Sequence, residues 1–355
     1  MPTTSKAEPT KLQSQLDKNR QRVDVDHYDI TISELVRMAA DDELLIAPVY
    51  QRHFRWKTED ESRLIESLFL GLPVPSIYVA TNADATWEVV DGLQRLSTIM
   101  HFIAEPEEIL AQTGKKEPLI LEGLEELSQF NNCSFQDLPG PIRLAFTRRP
   151  LRVTALSDKS DYQARFDLFE RLNRGGVILS PQEVRASIFQ GPFNDLLREL
   201  AEDKNLQSLL KLQRGAQHDG TREEQVLKFF AYMNDRARFK GAVTKFLNDY
   251  MAKAKEDIDI DASRELFLNA TSALSEIMGG KPFLRSKVTN TPLNQFEAVI
   301  VAAGELLAAG KTPKDPGKKW TDDPELVRSS TRGTNTAAML RARVKRATEL
   351  LSGTA

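Results

Sequence analysis

The chain has 355 residues, a hydrophobic fraction of 41%, a charged fraction of 28% and a formal net charge of -3. These values are typical of a globular protein with a full core, and the small negative charge excludes a general attraction to nucleic acid or to an anionic membrane. The single cysteine, Cys133, excludes an internal disulfide and a cysteine-rich zinc site, which suits a reducing cytoplasm.

The most polar terminal segment and the longest apolar tract both favour a soluble cytoplasmic protein. Residues 1–27 are polar and lack the apolar stretch of a signal peptide, so we expect a flexible N-terminal arm. The longest apolar tract, residues 298–309, is too short to span a bilayer and contains Glu305. We therefore expect no membrane association.

Residues 28–158 have the mixed pattern of a small α+β lobe. The pattern predicts strands, including a hairpin that turns at residues 82–85, and helices between them. Thr58 and Glu61 have the spacing of a capping box before the helix at residues 58–69. The predicted strands are residues 44–46, 77–79, 87–90, 119–121 and 151–156, and the predicted helices start near Ser33, Thr58, Leu93 and Phe135.

The aromatic loop before that helix has two interpretations. It contains Tyr50, Gln51 and Arg52, followed by Phe54 and Trp56. The aromatic side chains can cover the core while Gln51 and Arg52 face water, because aromatic residues beside a polar loop usually pack. Alternatively, the loop faces a binding site.

The stretch from Trp87 to Ile103 is the strongest candidate for a functional site. A short strand ends at Asp91-Gly92, and a helix with the apolar stripe Leu93, Leu96, Ile99, Met100 and Ile103 follows. Such a corner presents helix N-terminal N–H groups that bind anions, and Arg95 adds a positive charge. The alternative is structural: Asp91 caps the helix and Gln94 completes a capping box.

Residues 159–355 are predicted to form a mostly helical lobe. Ser180, Pro181 and Glu183 together predict a capped helix start, so Glu183 is a cap rather than a catalytic base. Residues 311–335 are rich in Lys, Pro, Gly, Ser and Thr and predict a loop-rich excursion. Further helices are predicted at residues 162–172, 222–233, 243–252, 266–278, 295–309 and 336–351.

Several common chemistries have no motif in this chain. The four histidines are scattered and form no metal-ligand pair, and no P-loop or nucleophile elbow occurs. Arg148, Arg149 and Arg152 form the densest basic patch, which is either solvated or contacts DNA.

Three segments in order resemble the N-terminal domain family of GmrSD-type restriction endonucleases, within the ParB/sulfiredoxin-like superfamily. The resemblance covers roughly residues 28–250, and one position departs from it: the commoner family motif has Gln where this chain has Leu93. The three segments are residues 49–56 (VYQRHFRW), residues 91–95 (DGLQR), and residues 169–176 (FERLNRGG) with residues 181–185 (PQEVR).

The resemblance implies an α+β ParB/sulfiredoxin-like lobe followed by a helical lobe, with nucleotide binding and hydrolysis at the Asp-Gly-x-Gln-Arg motif. It implies that Asp91 positions Mg²⁺ or the attacking water and that Gly92 lets a phosphate approach the backbone. Gln94 and Arg95 would contact phosphate oxygens. Further nucleotide contacts are expected from Tyr50, Gln51, Arg52, Asn173, Arg174 and Arg185.

The leading hypothesis is an NTP-binding and NTP-hydrolysing regulatory subunit of a prokaryotic DNA restriction or anti-phage defence system. Its expected partners are DNA, modified or of phage origin, and a separate nuclease or defence subunit, because no His-Asn-His nuclease constellation is found in this sequence. A homo-oligomer is compatible with this hypothesis. The alternatives are a ParB-like DNA-binding scaffold that uses the nucleotide only as a switch, and a direct DNA nickase.

Overall fold

The computed structural model describes residues 12–14, 16–17, 24–46, 56–82, 84–105, 107–157, 166–168, 171, 180–213, 216 and 219–354. The chain divides into two compact units, Met1–Ile178 and Leu179–Ala355. In the described ranges, no helix has the length and apolar character needed to cross a membrane.

The first unit is built on one five-stranded mixed sheet. Its strands are β1 (Val25–Thr31), β2 (Leu44–Leu45), β3 (Ile77–Thr81), β4 (Trp87–Asp91) and β5 (Pro150–Leu156). Their spatial order is β1-β5-β3-β4-β2. The pairs β1–β5 and β3–β4 are antiparallel, whereas β3–β5 and β2–β4 are parallel. The predicted hairpin is therefore confirmed as β3 and β4.

The described helices of this unit pack mainly on one face of the sheet. They are α1 (Ile32–Ala40), α2 (Thr58–Leu70), α3 (Leu93–Ile103), α4 (Glu107–Gln112) and α5 (Gly140–Thr147). The predicted apolar stripe of α3 is buried at Leu96, Ile99, Met100 and Ile103, and Leu93 packs against the same core. Leu93 therefore belongs to the core, as its place in the apolar stripe predicts.

Two element predictions in this unit are wrong. Residues 119–121 form no strand; Leu119 and Leu121 are buried, but their N–H groups donate to the carbonyls of His101 and Cys133 rather than to a ladder. The helix predicted from Phe135 begins only at Gly140, because the segment before it turns at Ser134 and Asp137.

The capping box predicted at Thr58 and Glu61 is also absent. Helix α2 has Lys57 at its N-cap position and no side-chain cap, so Thr58 is already helical. The carboxylate of Glu61 is fully buried and accepts a hydrogen bond from Nδ1 of His101 on α3. Glu61 therefore bonds to His101 on another helix instead of capping its own helix.

The second unit is helical, as predicted, and with the sheet of the first unit it confirms the α+β class. Ser180 and Glu183 form the predicted capping box. Within the loop-rich stretch 311–335, one short helix and one 3₁₀ turn form. The helices are α6 (Pro181–Ile188), α7 (Pro192–Ala201), α8 (Lys204–Leu209), α9 (Thr221–Asp235), α10 (Val243–Asp257), α11 (Ile260–Ile277), α12 (Leu293–Ala308), α13 (Pro324–Ser329) and α14 (Ala337–Ser352).

The domain limits compare with the prediction as follows. Strand β1 begins at Val25, three residues before the predicted start of the lobe at Tyr28. Residues 158–165 lie outside the described part, so the predicted limit between residues 158 and 159 stays a prediction. Of the helix predicted at residues 162–172, the structure describes only residues 166–168 and 171, and these are helical.

Candidate functional site

The corner between β4 and α3 is formed by Gly92. This glycine takes the N-cap position of α3 with φ 96°, in the left-handed region, and no side chain caps the helix. Asp91 is the last residue of β4. The structural alternative, in which Asp91 and Gln94 form a capping box, is therefore wrong. Because the helix start has no side-chain cap, its first N–H groups remain suited to an anion.

Asp91 instead forms an ion pair with Arg95. Nη2 of Arg95 donates to Oδ2 of Asp91 at 2.6 Å. The Arg95 side chain is 14% exposed and the Asp91 side chain 30% exposed. The pair is therefore partly shielded from water but open to solvent on the carboxylate side, and its two charges neutralise each other.

A β-bulge determines the direction of the Asp91 side chain. Val79 pairs with Val89, but Tyr78 pairs with Asp91, so Val90 is an extra residue in β4. Side chains alternate along a regular strand, which would put Asp91 on the same face as Val89. The extra residue interrupts this alternation and places Asp91, rather than Val90, directly opposite Tyr78.

Gly92 is required sterically as well as conformationally. A Cβ atom at this position would lie 3.0 Å from Nη2 of Arg95 and 3.2 Å from Cα of Ile77. The corner therefore brings the backbone of β4, the backbone of β3 and the Arg95 guanidinium into close contact. The groups next to Gly92 are protein atoms, and the approach of a phosphate to this backbone stays a prediction.

The α3 face that continues from the corner carries two further polar residues. Gln94 is half-buried. Thr98 lies one turn beyond Gln94 and Arg95 and is completely buried, and its hydroxyl finds no hydrogen-bond partner in the described ranges. Buried hydroxyls are normally paired, so this atom is an unusual feature of the site face.

The described side of the corner holds a narrow crevice rather than a full nucleotide pocket. The crevice has a volume of about 10 Å³, which is about the room that one water molecule needs. Arg95 is its only charged residue among Leu64, Leu68, Val74, Pro75, Ile77, Arg95, Ile99 and Leu151. This crevice is too small for a phosphate, so what the corner offers an anion is the charge of Arg95 and the uncapped start of α3.

The other residues expected to contact nucleotide are not assembled with the corner in the described part. Tyr50, Gln51, Arg52, Asn173 and Arg174 lie outside the described residues.

Arg185 belongs to the interior of the helical unit. It is fully buried and donates to Gln182, Asn248 and Glu224. Burial lowers the pKa of Arg185, and Glu224 opposes that shift. These contacts correct the expectation of a phosphate contact: the arginine holds α6 to α9 and α10.

The predicted basic patch is only partly available. Arg148 is exposed. Arg149 is half-buried and lies beside Gly71. Arg152 pairs with Asp29 on β1, with Nε 2.6 Å from Oδ1 and Nη2 3.1 Å from Oδ2. The hydrogen bond from Arg152 lowers the pKa of Asp29. The pairing leaves Arg148 and Arg149 as the basic side chains of the patch.

The metal expectation rests on Asp91. No group of three His, Cys, Asp or Glu side chains that could hold a metal ion occurs among the described residues. Mg²⁺ commonly keeps several waters and binds through one or two carboxylates together with substrate phosphates. Asp91 would supply the one carboxylate of such a site, and the metal stays a prediction.

Two residues of the site were missed from the sequence. Tyr78 lies in a strand that was predicted, but its position opposite Asp91 depends on the bulge. Thr98 stands four residues after Gln94, so helical periodicity places it on the polar side of α3. That periodicity was the available signal for Thr98, whereas no local pattern indicates the bulge.

Comparison with known families supports the resemblance. Residues 32–190 match the family model described as GmrSD restriction endonuclease, N-terminal domain. The matched range contains the β4–α3 corner and ends two residues after α6. No curated protein and no solved structure matches the chain. The chain is therefore similar to the GmrSD restriction endonuclease N-terminal domain family over residues 32–190.

Proposed function

We propose that the protein binds and hydrolyses a nucleoside triphosphate at the β4–α3 corner and regulates a prokaryotic DNA restriction or anti-phage defence system. The observation that carries this proposal is the Asp91–Arg95 pair beside the uncapped N-terminus of α3. The family name provides the link to restriction. A separate nuclease would cut the DNA in response to the nucleotide state.

The chemistry proposed for the corner is an exchange of partners. An incoming phosphate attracts Arg95, because guanidinium groups form strong charge-assisted hydrogen bonds with phosphate oxygens. Asp91 then becomes free to bind Mg²⁺ or to orient the attacking water. Positioning and charge stabilisation of this kind are most of what phosphoryl transfer requires. Gly92 leaves room for the phosphate next to the backbone.

Phosphate release from the purified protein with each NTP and Mg²⁺ tests the proposal. Wild type should release phosphate and Asp91→Ala should not. Asp29→Ala is the matched control, since Asp29 also pairs with an arginine, at 2.6 Å, but on an exposed part of the sheet. A folded wild type that neither binds nor hydrolyses any NTP, with or without DNA, would contradict the proposal.

A second candidate function is a DNA-binding scaffold in which the nucleotide acts only as a switch. The exposed Arg148 and the half-buried Arg149 favour it, because they form a local basic patch on a chain without net positive charge. DNA binding that weakens with salt, depends on these arginines and survives Asp91→Ala would support the scaffold. Binding lost in Asp91→Ala would support the nucleotide-regulated function instead.

A further inference from the structure

Four residues form one row across the sheet at the level of the corner. His27 on β1 pairs with Thr154 on β5, Thr154 pairs with Tyr78 on β3, and Tyr78 pairs with Asp91 on β4. Directly paired residues of neighbouring strands present their side chains on the same face. With about 4.8 Å between strands, the row extends roughly 14 Å from Asp91 to His27.

At the end of the row away from Asp91, the side chains of His27 and Thr154 form a hydrogen bond. Nδ1 of His27 lies 3.1 Å from Oγ1 of Thr154. Thr154 is buried at 5% exposure, whereas His27 is exposed. The two side chains therefore satisfy each other and form an edge to the row rather than a free binding surface.

Tyr78 occupies the position between that edge and Asp91. Its side chain is half-buried. Within the described ranges, the Tyr78 hydroxyl forms no hydrogen bond and its ring contacts no other ring. The next row on this face has the buried residues Leu156, Ala80 and Glu88. This half-buried tyrosine is the direct strand neighbour of Asp91.

We propose that Tyr78 stacks against the nucleoside of the nucleotide whose phosphates bind at Arg95 and Gly92. This inference rests on the proposed function of the corner. A ligand held by its phosphates at the start of α3 must extend its nucleoside away from the helix, and Tyr78 is one strand from Asp91. Stacking on an aromatic ring accepts every base, because each base has a π-face. The ring therefore contributes affinity for the nucleoside without selecting one base.

Calorimetric titration separates the nucleoside contact from the phosphate contact. The probes are ATP, GTP, CTP, UTP and inorganic tripolyphosphate, each with Mg²⁺. Tyr78→Leu, which keeps apolar bulk without a ring, should weaken binding of all four nucleotides about tenfold and leave tripolyphosphate binding unchanged. Tyr78→Phe keeps the ring and should bind like wild type.

The matched control is Tyr28→Leu, in a tyrosine of the same sheet whose ring packs on Trp87 at 5.3 Å. It should leave the binding of all five probes unchanged. Nucleotide binding by Tyr78→Leu equal to wild type, or an equal loss for tripolyphosphate, would overturn the stacking role while the phosphate site stands. A folded wild type that binds neither tripolyphosphate nor nucleotide would overturn the proposed function and the stacking role together.

Discussion

Glu61 on α2 and His101 in the last turn of α3 form a buried hydrogen bond that joins the two helices. Oε1 of Glu61 lies 2.8 Å from Nδ1 of His101, and the other ring nitrogen lies 2.9 Å from the carbonyl oxygen of Glu117. Lys115 approaches Oε2 of Glu61 at 3.7 Å. Both ring nitrogens thus face oxygen atoms.

Removing the charge of Glu61 should destabilise the first unit. Glu61→Gln keeps the side-chain volume but leaves a buried cationic neighbourhood without its carboxylate, and we expect a loss of about 3 kcal/mol in the free energy of unfolding. Urea denaturation measures this loss. Glu125→Gln, at an exposed position of the same unit, should change stability very little. Equal unfolding free energies for the two variants would contradict the structural role of Glu61.

Gly92→Ala should damage both stability and nucleotide binding. The left-handed backbone costs a non-glycine residue about 1–3 kcal/mol, and the added Cβ meets Arg95 and Ile77. Gly114→Ala separates the two effects, because Gly114 also has a positive φ but has no atom within 4 Å of an added Cβ. Both variants should have a lower Tm in thermal unfolding, because both strain the backbone. Nucleotide titration should show lost affinity in Gly92→Ala alone. Lost affinity in both would show that the clash with Arg95 is not the cause.

Arg95→Ala should reduce hydrolysis more than binding. If the guanidinium stabilises charge that develops in the transition state, its removal lowers kcat on the order of 100-fold. The nucleotide Kd, measured with a non-hydrolysable analogue, should change by a smaller factor. Equal losses in kcat and in affinity would contradict a transition-state role and leave Arg95 as a binding residue. Arg152→Ala serves as the control arginine, since its partner Asp29 lies away from the corner.

Acid should destabilise the helical unit through Glu224. Burial raises the pKa of Glu224, while Lys228 and Arg185 lower it by a larger amount, so the net pKa lies below the ordinary value of 4.5. A carboxylate with a lowered pKa contributes stability above its unfolded pKa, and this stability is lost as pH falls through the folded pKa.

Urea unfolding between pH 7 and pH 3 measures this dependence. Glu224→Gln should be less stable at neutral pH and show a shallower decline with acid than wild type. Glu276→Gln, at an exposed position on α11, should retain the wild-type slope. Parallel slopes for wild type and Glu224→Gln would show that this carboxylate does not contribute to the acid sensitivity.

Three similar capping patterns show how far local sequence determines this structure. The spacing of a cap residue and an acid or amide three positions later occurs at Ser180, Thr58 and Asp91. Only Ser180 forms the predicted box with Glu183. Glu61, three residues after Thr58, is taken by His101, which lies 40 residues away, and Asp91 is taken by Arg95. The same local pattern gave three outcomes because the side chains had different tertiary partners.

The sequence by itself determined the α+β class, the β3–β4 hairpin, the glycine corner and the apolar face of α3. These features depend on residues a few positions apart, whose periodicity and backbone preferences are visible in the chain. The bulge at Val90, the row from Asp91 to His27 and the burial of Arg185 were decided only by the tertiary structure. Strand register and the pairing of buried charges depend on contacts between distant residues, which compete with every local alternative.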